Sequence, residues 1–221
     1  MAKARLIAQA LVNNASAGVL PLLNDVAGPV MPPYLRMQAL WDDVDTAAGV
    51  PSQPGAVTNV VGGFQMCYPA QGGCQSLSGF HWDSAGRITD FAVDGQPISP
   101  RLAVGSTYSG SALTFSSAYS YLQTSDGVVN ILFKVRNTSG HALGSAKRPA
   151  FLPIFVASGG TRVSYNKHYS VIFAGPLEPG AVMEELAVFD TTTLTGKLTL
   201  RSDTASTKLL ATATLRKLPA P

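Results

Sequence analysis

The residues best suited to acid–base or metal chemistry in this chain are its three histidines, His81, His141 and His168. His81 stands next to Trp82 in an alternating stretch, so His81 and Asp83 share one face while Trp82 turns to the other. A histidine oriented by an aspartate is the usual activator of a serine nucleophile. The chain has no Gly-x-Ser-x-Gly elbow, however, and Ser109-Gly110-Ser111 sits in a turn without the strand-to-helix setting that exposes such a serine. His81 therefore reads as a solvent-facing strand residue. His141 falls in a Gly/Ser loop and His168 beside Lys167 in a turn. Three separate segments, with no histidine pair at helical spacing, argue against a metal centre. Asp42, Asp43 and Asp45 lie on one helical stretch and read as a solvated face, in preference to a glycosidase pair. Glu184-Glu185 interrupts an apolar run, with one of the two expected to face water. Gly62-Gly63 and Gly159-Gly160 lack the lysine and the strand-to-helix setting of a phosphate loop. The expectation is a chain with no catalytic residue, no metal and no cofactor, and not an enzyme.

Cys67 and Cys74 enclose Tyr-Pro-Ala-Gln-Gly-Gly. Pro69 and Gly72-Gly73 bend the chain, so the two sulfurs can meet in a small loop whose closure contributes at most about 2–3 kcal/mol. The competing reading is two unrelated buried thiols. A disulfide would imply an oxidising compartment. Tyr108, Tyr119, Tyr121, Tyr165 and Tyr169 are the candidates for a surface that takes a sugar or a protein. Against this, tyrosines at such spacings also fill core and sheet-face positions.

Composition narrows the classes further. Only 13% of residues are charged and 46% are apolar, against about 25% charged in typical soluble domains. The surface must be coated mainly by Ser, Thr, Asn, Gln and Gly, as on many secreted or particle-bound β proteins. Net charge is +3, and its nearest approach to a basic cluster is Lys147-Arg148 and Arg216-Lys217. Nucleic acid, which needs a basic face, is not an expected partner. No run approaches the roughly 18 apolar residues of a membrane span. Lys3, Arg5 and Ala15-Ser16-Ala17 resemble parts of an export signal, but the apolar stretch from Leu6 to Val12 is short and broken by Gln9, so it reads as a helix start.

These residues are positioned by three regions. Residues 1–49 read as a helical N-terminal segment: a stripe of Leu6, Ile7, Ala10, Leu11 and Asn13, a short piece around Leu20–Val26 with Pro21 in its first turn, and a third helix from Tyr34 to Ala48 after Pro32-Pro33. Residues 50–76 are rich in Pro and Gly and read as a linker with the small Cys loop, able to supply one strand. Residues 77–221 carry the alternation of a β domain. Val129, Ile131, Phe133 and Val135 point one way; Asn130, Lys134 and Arg136 point the other, with Leu132 the one apolar exception. About nine strands follow at the spacing of a sandwich, with turns at Asp83–Gly86, Asp94-Gly95, Ser125–Gly127 and Ser158–Gly160. Pro153 places its strand at an edge or bulge.

The run from Cys67-Tyr68-Pro69 through Cys74, Phe80 and Asp83-Ser84-Ala85-Gly86-Arg87-Ile88-Thr89-Asp90-Phe91-Ala92-Val93-Asp94-Gly95-Gln96-Pro97-Ile98 to Arg101-Leu102 resembles uncharacterised exported proteins of actinobacteria. The Val129-to-Asn137 strand and the Leu177-Glu178-Pro179-Gly180 turn resemble their immunoglobulin-like accessory domains. The likeness covers residues 65–202 and rests on turn and core positions. It implies a mainly β fold, an immunoglobulin-like antiparallel β-sandwich with a helical N-terminal segment, and supplies no catalytic residue. The expected function is a non-catalytic structural or binding module of the cell envelope or extracellular space. A protein partner or self-assembly is expected, with carbohydrate as a further candidate ligand and no transmembrane segment. Immunoglobulin-like sandwiches also decorate bacteriophage heads and tails, so the alternative is a virion component attached through its N-terminal segment.

Overall fold

The computed structural model describes residues 1–13, 16–47, 55–68, 72–106, 110–145, 149–166, 170, 175–202 and 209–218. The chain divides into two compact units, Met1–Pro100 and Arg101–Pro221. Among the described residues it is mainly β and wholly antiparallel in its strand ladders, with helices at the N-terminus.

Unit 1 is a helical layer on a five-stranded meander. Its helices are α1 (Ala2–Val12), α2 (Ser16–Val19) and α3 (Met31–Ala47), with a 3-10 segment at Leu20–Asp25. Its strands β1 (Ala56–Val60), β2 (Gly63–Tyr68), β3 (Gly73–Trp82), β4 (Ile88–Val93) and β5 (Gln96–Pro97) pair in chain order. The stretch expected to be a linker thus holds two complete strands and the start of a third. Phe64, Met66 and Leu77 alternate with polar neighbours and are buried on the face that the helices cover. Tyr34 of α3 meets Phe91 of β4 edge-on at 5.7 Å. Along α1 the buried residues are Ala4, Ile7, Ala8, Ala10 and Val12, while Leu6 is 55% exposed. The expected stripe holds at Ile7 and Ala10, but Leu6 lies outside, Leu11 and Asn13 are only partly buried, and small alanines make up most of the inward face. Pro32 and Pro33 do not precede α3 but form its first turn, where a missing N–H costs no helical hydrogen bond.

Unit 2 is one eight-stranded sheet. Its strands are β6 (Leu102–Gly105), β7 (Leu113–Gln123), β8 (Val128–Asn137), β9 (Leu152–Ala157), β10 (Arg162–Ser164), β11 (Val182–Phe189), β12 (Gly196–Arg201) and β13 (Leu209–Lys217), in the spatial order β10-β9-β12-β13-β6-β7-β8-β11. The two outermost strands then meet: Tyr165, just after β10, bridges Phe189 at the end of β11, and the Asn166 N–H donates to the Val188 carbonyl at 2.7 Å. The sheet therefore curls over a single core and satisfies its own edges there. That arrangement is compatible with a sandwich in which both layers come from one sheet. Phe115, Phe133, Phe151, Phe155 and Phe189 fill the core with Val129, Ile131, Val135, Leu198, Leu200 and Leu215.

Two expectations shift here. Strand β8 is not half-buried: Asn130 and Leu132, on the face opposite Phe133, are buried too, as are the neighbouring Leu186 and Val188 of β11. Leu132 is thus one member of a second apolar surface, not an exception on a polar one. Strand β9 is flanked on both sides, but β10 reaches only Ile154 to Val156. At Pro153 a partner therefore stands on the β12 side alone, which is where a residue without an N–H is tolerated.

Candidate functional site

The structure scatters the residues first suspected of chemistry. His81 is exposed, and its cross-strand partner is Asp90, not Asp83. Asp83 instead closes the β3–β4 turn. Its carboxylate accepts from the N–H groups of Ala85 and Arg87 at 2.9 Å each and from the Arg87 guanidinium at 2.8 Å. The Arg87 N–H above all, and then its side chain, hold the Asp83 carboxyl below the usual carboxylate range. An aspartate so engaged cannot orient His81. His141 is exposed, and its carbonyl is used by Asn137, whose Nδ2 donates to it at 2.9 Å and to the Leu177 carbonyl at 2.7 Å. His168 lies outside the described residues, as do Ser109 and the Lys147-Arg148 pair. Among the described residues no three metal-ligating side chains gather.

The carboxylates divide differently from expectation. Asp43 is exposed, but Asp42 is only 5% exposed, so α3 does not present a uniform solvated acidic face. Tyr68 feels the charges of Asp94 and Asp42, and its hydroxyl donates to Gln75 Oε1 at 3.2 Å. Burial, then the two carboxylates, push the Tyr68 phenol up to about 12. Glu185 is the inward member of its pair at 1% exposed, opposite Phe133, and Glu184 is the outward one opposite Lys134.

Nor do the tyrosines form one platform. Tyr121 is buried, with the Arg101 guanidinium 5.2 Å from its ring centroid. Burial raises its pKa and Arg101 pulls it part of the way back. Tyr119 is half-buried on the outer face of β7, whereas Tyr165 packs against the core cluster and is raised by burial. Tyr108 and Tyr169 lie outside the described residues. Cys67 and Cys74 are joined by a disulfide across directly opposed positions of β2 and β3.

What the fold does assemble is a groove of about 690 Å³ in unit 2, where β9 ends, β12 begins and β13 ends. Gly196 makes the close approach possible. A Cβ there would stand 2.3 Å from the Val156 carbonyl oxygen and 2.9 Å from the Phe155 ring. The Ser158 N–H donates to the Thr195 carbonyl at 2.9 Å, and the two hydroxyls lie 2.8 Å apart. Leu198 and Leu215 point into the core, so Lys197, Thr214 and Arg216 must point out. Lys197 is paired with Thr214, which makes Arg216 its diagonal neighbour at roughly 7–8 Å. Lys217 completes the lining, and Arg162 stands in the same outward row beyond Val156. Lys197, Arg216, Lys217 and Arg162 are all exposed.

No residue of β9, β10, β12 or β13 is acidic. Unit 2 holds twelve Lys and Arg against six Asp and Glu, a formal +6; unit 1 holds four against seven, a formal −3. The modest overall charge therefore hides a strong division. The described lining of the groove has no histidine, cysteine or carboxylate. It offers positive potential and hydroxyls, which is chemistry for holding an anion. Sequence reading noted Arg216-Lys217 but missed Lys197 and Arg162, because only the pairing of β12 with β13 and β9 gathers them.

No family model matches the chain, and no curated protein does. Among solved structures, a conserved hypothetical protein from Bacillus anthracis matches over 48% of this chain and 92% of its own, at 15% identity and a TM-score of 0.29, which is too low to carry an argument. Among the described residues no helix is long and apolar enough to cross a membrane.

Proposed function

We propose that the chain is a non-catalytic binding module of the cell envelope or extracellular space, and that it binds through the cationic groove of unit 2. The observation that carries this reading is the gathering of Lys197, Arg216 and Lys217 around a concavity whose described lining contains no acid–base pair and no nucleophile held by a base. The Cys67–Cys74 disulfide, on a hairpin where Cys74 is exposed, supports an oxidising surrounding. The immunoglobulin-like reading gains support from the two segments that suggested it, which hydrogen-bond to each other: the Gly180 N–H donates to the Asn137 carbonyl and the Asn137 N–H to the Ala181 carbonyl. The alternative virion role would have to use outward residues such as Leu6 and Leu20, because the inward face of α1 is already packed on its own sheet.

The test is cosedimentation of the intact protein with insoluble cell-wall fragments, alongside assays for ester, glycoside, phosphate and peptide hydrolysis. Retention that falls for Lys197→Glu/Arg216→Glu supports the reading. Retention unchanged in that variant moves the binding surface elsewhere. Turnover abolished by His81→Ala overturns the non-catalytic assignment.

A further inference from the structure

We infer that the groove between the ends of β9, β12 and β13 recognises an anionic glycan, a hydroxylated polymer carrying repeated carboxylate or phosphate groups. The inference rests on the groove being the binding surface and adds the chemistry of what it holds. Charge is the first argument. Lys197, Arg216 and Lys217 line the concavity, Arg162 stands in the cross-strand row of Lys197, and the four strands that carry them contribute no carboxylate of their own. Cations grouped without acidic partners repel one another, so a polyanion laid along them gains from several charges at once.

Shape and hydroxyls narrow the class. The described lining contains no aromatic ring, so it offers no stacking platform for the bases of a single strand and no large aromatic anchor of the kind that dominates protein interfaces. Ser158, Thr195 and Thr214 instead place side-chain hydroxyls among the cations. Each of these donates and accepts, as the hydroxyls of a sugar chain require. Half-buried Val156 adds an apolar side chain to the outward lining, which suits the carbon face of a ring.

The experiment is fluorescence anisotropy with the full chain. The probes are labelled polygalacturonate, which presents carboxylates, and a labelled phosphomannan, which presents phosphodiesters. Neutral dextran and double-stranded DNA serve as comparisons. Binding to one or both anionic glycans at about 10 mM salt, weakening at about 150 mM as the Debye length falls to about 8 Å, is the expected result, with none to dextran. Their relative strength assigns the source of the anion. Lys197→Glu/Arg216→Glu, and separately Lys197→Gln/Arg216→Gln, should weaken binding by about tenfold or more. Lys134→Glu/Arg136→Glu makes the same charge change on β8 and should leave it within about twofold. Far-UV dichroism verifies that each variant is folded. The inference is overturned if no anionic glycan binds, if the groove variants bind like the unaltered protein, if the β8 variant loses as much, or if DNA binds more tightly than either glycan. Retention on wall fragments is read independently, so failure with these polymers alone refutes the ligand class and leaves the binding role standing.

Discussion

The two units close their cores by different means. Unit 1 is an open meander that needs α1 and α3 as a lid over Phe64, Met66, Leu77 and Phe91. Unit 2 needs none for its core, because the sheet bends until β10 and β11 meet. The charge follows the same division, formally −3 against +6, and so does the crosslink, since both cysteines lie in unit 1. A sheet that supplies its own second layer leaves a strand surface for other uses. In unit 2, part of the outer face carries cations and hydroxyls and no acid. In unit 1, the outer face of the sheet carries the disulfide, His81 and Asp90.

The largest expected effect tests whether that self-closed core stands alone. Phe133→Ala removes a fully buried ring between Phe115 and Phe151 and should cost about 3–5 kcal/mol. Amide hydrogen exchange should show β7 and β8 losing protection. An equal loss in β2 and β3 would show that the two units unfold as one. Reducing the disulfide, or Cys67→Ser/Cys74→Ser, acts on the opposite side of the comparison. It should destabilise unit 1 by about 2–3 kcal/mol and leave exchange in unit 2 unchanged.

A smaller effect bears on the groove floor. Gly196→Ala drives a methyl group into the Val156 carbonyl and should cost about 1–3 kcal/mol, as overpacking does. Denaturant melts would record it, and a neutral result would mean that β9 and β12 separate easily. The smallest is Tyr68→Phe in unit 1, which removes one hydrogen bond to Gln75 and should cost about 1 kcal/mol at neutral pH. The same residue sets an alkaline limit. Burial pushes its folded pKa up to about 12, above the ordinary tyrosine value of 10.0, so the neutral phenol is favoured by folding. That contribution is complete below pH 10 and is lost as pH rises toward 12. Tyr68→Phe should flatten the fall in stability over this window, and ultraviolet titration should show one fewer late-ionising tyrosine in Tyr68→Phe than in the unaltered protein, where Tyr68, Tyr121 and Tyr165 are all raised.

Much of this arrangement was written in local pattern. The period of two from Val129 to Val135 set the core side of β8, and Asp94-Gly95 supplied the two positive-φ residues of the turn from β4 to β5. The helices followed from their composition and punctuation. Where local pattern misled, the missing quantity was a neighbour. Leu132 looked anomalous because nothing in β8 itself tells that Leu186 and Val188 lie beside it. Gly62-Gly63 looked like linker because a glycine at 63 has value only when the Leu77 carbonyl approaches within contact of it. The candidate site was the least legible part, for the same reason.

By itself, then, the sequence determined the alternation of inward and outward side chains, the tight turns, the helical character of the first residues and the absence of a nucleophile motif, because each depends on residues a few positions apart. Only the tertiary structure decided that the outer strands of unit 2 join at Tyr165 and Phe189, and that Lys197 comes to stand beside Arg216. Those outcomes depend on the register between strands distant in the chain, and register is fixed by the packing of a whole face, not by any residue on its own.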